Sequence, residues 1–143
     1  MSQILQDIQT FMGDKIEVSQ DKHYTCISTG ADNLPALLGR LKEIHGFNYL
    51  ANLTAVDYPD RFEIIYHLHS IPANHKIMVK SSVSREEAQF LSAAYLWPGA
   101  DWQERELFDL MGIKFQNHPN LIRILLPDDF EGHPLRKDFK VKG

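Results

Sequence analysis

Apolar positions fall at helical spacing at the very start of the chain. Residues 2–12 (SQILQDIQTFM) put Ile4, Leu5, Ile8, Phe11 and Met12 on one face, and Gly13 stops the run. The period then changes. "KIEVS" and "HYTCIS" alternate around "QDK", which predicts a β-hairpin. "DNLPALLGRLKEIHG" returns to helical spacing, with Asp32 or Asn33 available as cap, Pro35 in the first turn and Gly46 past the end. Its expected core face is Leu34, Leu37, Leu38, Leu41 and Ile44.

Three strand-like runs follow, "FNYLANLTAVDY", "RFEIIYHLHS" and "KIMVKSSVS", separated by "PDR" and "PANH". In the second, Phe62, Ile64, Tyr66 and Leu68 share one face, and Glu63, Ile65, His67 and His69 the other. "REEAQFLSAAYLW" predicts a third helix closed before Pro98, and "ADWQERELFDLMG" a fourth ended by Gly112. The rest is punctuated by proline around one apolar run, "LIRILL". The fold class is therefore α+β: a mainly antiparallel sheet with helices packed on it, then an irregular C-terminal segment. The expected division is a core over residues 1–112 and an extended docking segment of the same domain over 113–143.

Length and composition fit one domain, since 143 residues can bury a core without disulfides. The single cysteine, Cys26, excludes an internal disulfide and a cysteine-ligated cluster or zinc site within this chain alone. The start lacks a basic n-region and a long apolar run, so no signal peptide is expected, and no run approaches transmembrane length. The net charge of −4 is unevenly spread. Residues 1–130 carry 11 basic and 17 acidic side chains, while 131–143 carry 4 basic and 2 acidic. An acidic body argues against nucleic-acid binding, and a basic end reads as a solvated tail or a surface for an acidic partner.

Local chemistry is sparse. His67 and His69 form an H-x-H pair that could begin a metal site, but no acid or third histidine has a completing spacing, and a solvated strand face explains them too. There is no G-x-S-x-G, P-loop or G-x-G-x-x-G. On the fourth helix, Glu104 falls within the apolar arc of Leu107, Phe108, Leu110 and Met111. It can be a capping-box residue with Asp101 as N-cap, or a partly buried carboxylate that needs a cation, with Arg123 and Arg136 as candidates. Arg105 lies one turn from both Asp101 and Asp109 and can pair with either. "NHP" and "GHP" place His118 and His133 in two proline-fixed turns that bracket "LIRILL".

"AVDYPDRFEIIYHL", "WPGADWQERELFDLMGIKF" and "HPNLIRILLPDDFEGHPLRKDF" together resemble the C subunit of NADH–quinone oxidoreductase, respiratory complex I. The resemblance covers roughly residues 45–139. It is carried by Glu104, Arg105, Glu106, Asp109, Gly112 and Ile113, then His118, Pro119, Leu121, Arg123, Ile124 and Leu125, then Gly132, His133, Pro134, Leu135, Arg136, Lys137 and Asp138. Two positions depart from it: the family usually has a basic residue where Ile122 stands and a glycine where Asn117 stands.

The resemblance implies a non-catalytic subunit of the peripheral arm, on the cytoplasmic side of the plasma membrane. Such a subunit supports electron transfer from NADH to quinone coupled to ion translocation. It implies no cofactor on this chain, with flavin and iron–sulfur clusters on other subunits. It implies docking on the quinone-reducing and cluster-bearing subunits, with the membrane reached only through the complex. Related subunits serve membrane-bound nickel–iron hydrogenases and ferredoxin-driven complexes, which is the alternative assignment. "GHPLRKDF" is then a docking tail, and Glu104, Arg105, Arg123, Arg136 and Asp138 are structural ion-pair groups. The alternative of a different class is a free-standing metal-binding domain using His67, His69 and a carboxylate.

Overall fold

In the computed structural model, residues 1–119, 121 and 132–136 are described. The element order is α1 (Ser2–Met12), β1 (Ile16–Gln20), β2 (Thr25–Gly30), α2 (Leu34–Glu43), β3 (Tyr49–Asp57), β4 (Arg61–Ser70), β5 (His75–Ser84), β6 (Gln89–Leu91), α3 (Ala100–Met111) and β7 (Lys114–Gln116). Five strands make one sheet in the order β1-β2-β5-β4-β3. Every neighbouring pair is antiparallel except β2 and β5, which run parallel at the point where the chain returns after α2, β3 and β4. The α+β class with a mainly antiparallel sheet is thus what the alternation of periods predicts.

Strand register sorts the side chains onto two faces. Phe62, Ile64, Tyr66 and Leu68 of β4 are all fully buried, and they line up across the sheet with Val79 and Ile77 of β5, and with Leu50 and Leu53 of β3. Onto this face pack Leu5, Ile8 and Met12 of α1 and Leu34, Leu37, Leu38 and Leu41 of α2. The opposite face of β4 carries Glu63, Ile65, His67 and His69, all half-buried.

The edge at β3 is irregular. The register shifts between Leu50 and Asn52, and the side chain of Gln103 on α3 accepts the Leu53 amide there at 2.6 Å. A side chain from the helix thereby occupies a donor at the sheet edge, where unpaired backbone would otherwise invite another strand.

Three expectations need correction. Ile44 is 58% exposed, because α2 stops at Glu43 and the chain turns through Gly46 (φ 71°), so that Phe47 enters the core instead. Asn33 is the N-cap residue of α2, but it makes no side-chain capping bond. The segment expected as a third helix is not one. Ala88 takes a left-handed φ of 35°, Gln89–Leu91 form β6, and β6 pairs in parallel with β7, Phe90 opposite Phe115. Helix propensity in "REEAQ" yields to a strand partner 25 residues downstream. The packed body continues past Gly112, since Ile113 and Phe115 are buried. Of the apolar run "LIRILL", Leu121 packs on the core, and 122–126 lie outside the described residues.

Candidate functional site

The residues that carry the resemblance gather around α3. Gly99 is its N-cap residue without a side-chain bond, so Asp101 does not cap it and the capping box is not formed. Gly112, at φ 75°, ends it in the left-handed conformation that a non-glycine residue adopts only with strain, and its amide donates to Phe108 O at 2.9 Å.

Glu104 is 0% exposed. One carboxyl oxygen lies 2.6 Å from Ser92 Oγ, and the other accepts the Ala93 amide at 2.7 Å. Ser92 Oγ in turn accepts the Ala94 amide at 3.1 Å. Burial pushes the Glu104 carboxyl up to about 7, against the opposing pull of the Ala93 and Ser92 hydrogen bonds and with a further upward push from Asp101. Among the described residues its neighbours are a hydroxyl, an amide and a nearby imidazole, with no guanidinium. Arg123 lies outside the described residues. Arg136 lies elsewhere, with its guanidinium over the Phe62 ring.

That imidazole is His118, whose side chain is fully enclosed. Its Nε2 is 3.1 Å from the Asp101 carbonyl oxygen, 3.0 Å from Asp101 Oδ1 and 3.9 Å from Glu104 Oε1. A carbonyl oxygen can only accept, so Nε2 donates to Asp101 O. Asn117 enters this turn with φ 62°, in the left-handed region that also suits glycine.

The other histidine–proline turn meets the opposite end of the same helix. His133 Nδ1 donates to Asp109 O at 2.9 Å, and the Leu135 amide donates to Leu110 O at 2.8 Å. Those carbonyls belong to the last turn of α3, which has no partners within the helix. The ring of His133 is tilted against Phe108, centroids 5.9 Å apart. Arg136 continues to the sheet. Its guanidinium lies 5.2 Å from the Phe62 ring centroid, and Arg85 lies 4.8 Å from the same ring. Arg85 also pairs with the buried Asp57 and donates to Tyr58 O at 2.9 Å.

α3 thus receives His118 at its start and His133 at its end. The two anchor points, Asp101 and Asp109, are eight residues apart, or about 12 Å along a helix. Asp109 is fully buried, and Glu106 is half-buried on the same helix. Arg105 makes no ion pair with Asp101 or Asp109. Its guanidinium lies over the exposed Trp102 ring at 5.4 Å. Pro119 is exposed, and Gly132, Pro134 and Leu135 form the docked turn. Lys137 and Asp138 lie outside the described residues.

His67 and His69 are remote from all of this, on the outer face of the sheet. Among the described residues, no group of three or more His, Cys, Asp or Glu side chains is placed to hold a metal ion. Ser92 escaped sequence reasoning because it sits inside the segment expected as helix. Asp57 and Arg85 escaped it because 28 residues separate them.

Residues 27–143 match the family described as respiratory-chain NADH dehydrogenase, 30 Kd subunit. The chain belongs to this family. A relative from Moorella thermoacetica, named as the C subunit of NADH-quinone oxidoreductase, is 49% identical over 144 residues, covering 99% of this chain and 97% of the relative. One of the same name from Citrifermentans bemidjiense is 39% identical over 138 residues, covering 94% and 86%. Among solved structures, a chain of the membrane-bound sulfane sulfur reductase, an archaeal respiratory membrane complex, superposes with a TM-score of 0.85. It is 26% identical, with 97% of this chain and 85% of that one covered. The trypsin-resistant fragment of Nqo5 superposes at 0.73 over 84% of this chain and 98% of the fragment. At 24% identity this is a likeness of fold. Among the described residues, no helix is long and apolar enough to cross a membrane.

Proposed function

We propose that the chain is the C subunit of an NADH–quinone oxidoreductase complex and contributes structure to it rather than chemistry. The observation that carries the reading is the near end-to-end similarity, at 49% identity, to a relative of that name. The geometry supports a structural role. Both carboxyl oxygens of Glu104, Nε2 of His118 and Nδ1 of His133 meet this chain's own hydroxyl, amide and carbonyl groups, and the two histidines hold two loops to one helix. A general acid or base needs reach to a substrate proton, and Glu104 is fully enclosed. In this reading the chain sits in the peripheral arm on the cytoplasmic side. It docks on the quinone-reducing and cluster-bearing subunits, and flavin and iron–sulfur clusters reside on those neighbours.

A second reading has its own support. The likeness to a chain of the sulfane sulfur reductase complex, at TM-score 0.85 and 26% identity, favours the equivalent subunit of a related respiratory complex with another electron donor or acceptor. One experiment separates the two. An affinity-tagged chain is expressed in its native host, membranes are solubilised gently, and the complex that co-purifies is assayed with NADH, reduced ferredoxin and hydrogen as donors. NADH-driven quinone reduction supports the first reading, and activity with another donor alone supports the second. A chain that recovers no partner, or that purifies alone with stoichiometric flavin or iron, overturns both.

A further inference from the structure

We propose that the outer face of the sheet, at the end where β4 turns into β5, is a docking surface for an acidic segment of a partner polypeptide. Strand register builds the surface. Tyr49 stands opposite His69, and His69 opposite Lys76; one row down, Asn52 stands opposite His67, and His67 opposite Met78. Of these side chains, His67, His69, Lys76 and Met78 line a cleft of about 160 Å³ together with His23 and Tyr24 of the β1–β2 turn.

Charge identifies the occupant. The cleft is lined by three imidazoles and an ammonium group, and no carboxylate among the described residues lines it, in a chain whose net charge is −4. Around it, Asp21 is the carboxylate of the β1–β2 turn, and one of its oxygens already accepts the amides of His23 and Tyr24, at 2.7 and 3.0 Å. Glu63 and Glu17 lie further along the same sheet face, opposite Ser82 and Ser28. Lys22 in the turn and Lys80 on β5 add positive charge, while His75 starts β5 on the opposite face. Burial and the neighbouring His69 hold His67 below its ordinary value, so it is largely neutral at pH 7 and an anion would draw a proton to it.

Composition favours a polypeptide. Tyr24, 44% exposed, lines the cleft with Met78, and Tyr49, 49% exposed, stands beside it with its ring centroid 5.9 Å from that of His69. Tyr and Met are enriched at protein interfaces. An anionic lipid surface is met by clusters of about four to eight Lys or Arg, which this patch lacks. The inference rests on the subunit reading only for where the acidic segment comes from.

The test uses the full chain and several probes. Amide chemical shifts are followed while a hexaglutamate peptide is added at about pH 6 and about pH 8. Parallel arms use inorganic phosphate, phosphatidylglycerol vesicles and zinc. The peptide is expected to shift amides of residues 23–25, 67–69 and 76–78. Binding should weaken about fivefold at the higher pH and by a similar factor in the His67→Gln and Lys76→Gln variants, each charge lost being one ion pair at a surface. Unchanged melting temperatures of those variants keep the comparison valid. Shifts confined to other basic surfaces, equal response to phosphate alone, preference for vesicles, or saturable zinc binding in place of the peptide each overturn the proposal. Within the complex, Lys76→Glu should lower incorporation of the tagged chain. If the unmodified chain recovers no complex, the subunit reading fails while the peptide titration still decides the patch.

Discussion

The imidazole of His133 lies so close to Gly112 that a β-carbon placed there would stand 2.8 Å from His133 Cδ2 and 3.1 Å from Nε2. The glycine also holds φ 75° at the end of α3. One position therefore meets two demands, a left-handed backbone and an empty face, and the "GHP" turn is seated on that face. His133, which a sequence reading takes as part of a tail offered to other subunits, caps a helix of its own chain.

Gly112→Ala should cost more than an ordinary helix-terminal glycine substitution. The left-handed conformation alone costs about 1–2 kcal/mol in a non-glycine residue. Gly46 supplies the control, since it has φ 71° and nothing within 4 Å of an added β-carbon. Urea unfolding should show Gly46→Ala down by about 1 kcal/mol and Gly112→Ala by at least about 2–3. Adding His133→Ala to Gly112→Ala should recover part of the excess. Equal losses at the two glycines would mean that His133 does not rest on Gly112 in solution.

Asn117 makes a milder demand. Its φ of 62° suits glycine and asparagine and disfavours β-branched residues. Asn117→Gly should stay within a few tenths of a kcal/mol of the parent, and Asn117→Val should lose about 2 kcal/mol, with weakened protection of the amides around His118. A Val substitution as benign as Gly would show that this turn is not left-handed.

These positions mark the boundary of what the sequence discloses. α1, α2, α3 and the three long strands were legible because each repeats its period for at least two turns or four alternations. β6 was not. Three residues give no period, and its partner, β7, lies beyond α3. Asn117 and Gly112 announced turns, but nothing local says that His118 and His133 land on the two ends of one helix, because that requires α3 to be in place. Glu104 was legible as a charge on an apolar arc. Its partner Ser92 was hidden within the segment expected as a third helix, so the hydroxyl and amide that hold the carboxyl could not be read from the chain.

The tie between α1 and α2 should fail in acid. Asp7 accepts Arg40 Nε and Nη2 at 3.0 and 2.9 Å, and His45 Nε2 lies 2.6 Å away. These bonds, Arg40 foremost, hold the Asp7 carboxyl well below its ordinary value of 3.8. A lowered carboxyl stabilises the fold above the unfolded value and loses that contribution as pH falls below it. Asp7→Asn should therefore be less stable than the parent at pH 6, with faster hydrogen exchange in α1, and the gap should narrow as pH drops below about 4. A gap that is constant with pH would assign Asp7 no charge-dependent role.

Glu104 should carry the opposite sign. In the unfolded chain it titrates near 4.5, and in the folded chain at about 7. Between those values the folded protein keeps a proton that the unfolded chain has released, so raising the pH favours unfolding. A displacement from 4.5 to about 7 amounts to about 3 kcal/mol, spread over that window and level above it. Glu104→Gln keeps an oxygen for the Ala93 amide and an NH₂ group for Ser92 Oγ, and it has no proton to lose. Its stability relative to the parent should therefore rise steadily from pH 4.5 to 7, ending at least equal to the parent at pH 8. Glu104→Ala should be worse than Gln at every pH, because it strands the Ala93 amide in the core at about 1–3 kcal/mol. The measurement is urea unfolding of the three proteins at half-unit pH steps. If Gln instead falls several kcal/mol below the parent at pH 8, the carboxylate is held as an anion by a cation, with His118 at 3.9 Å the nearest candidate among the described residues, and the neutral-acid account of this core is wrong.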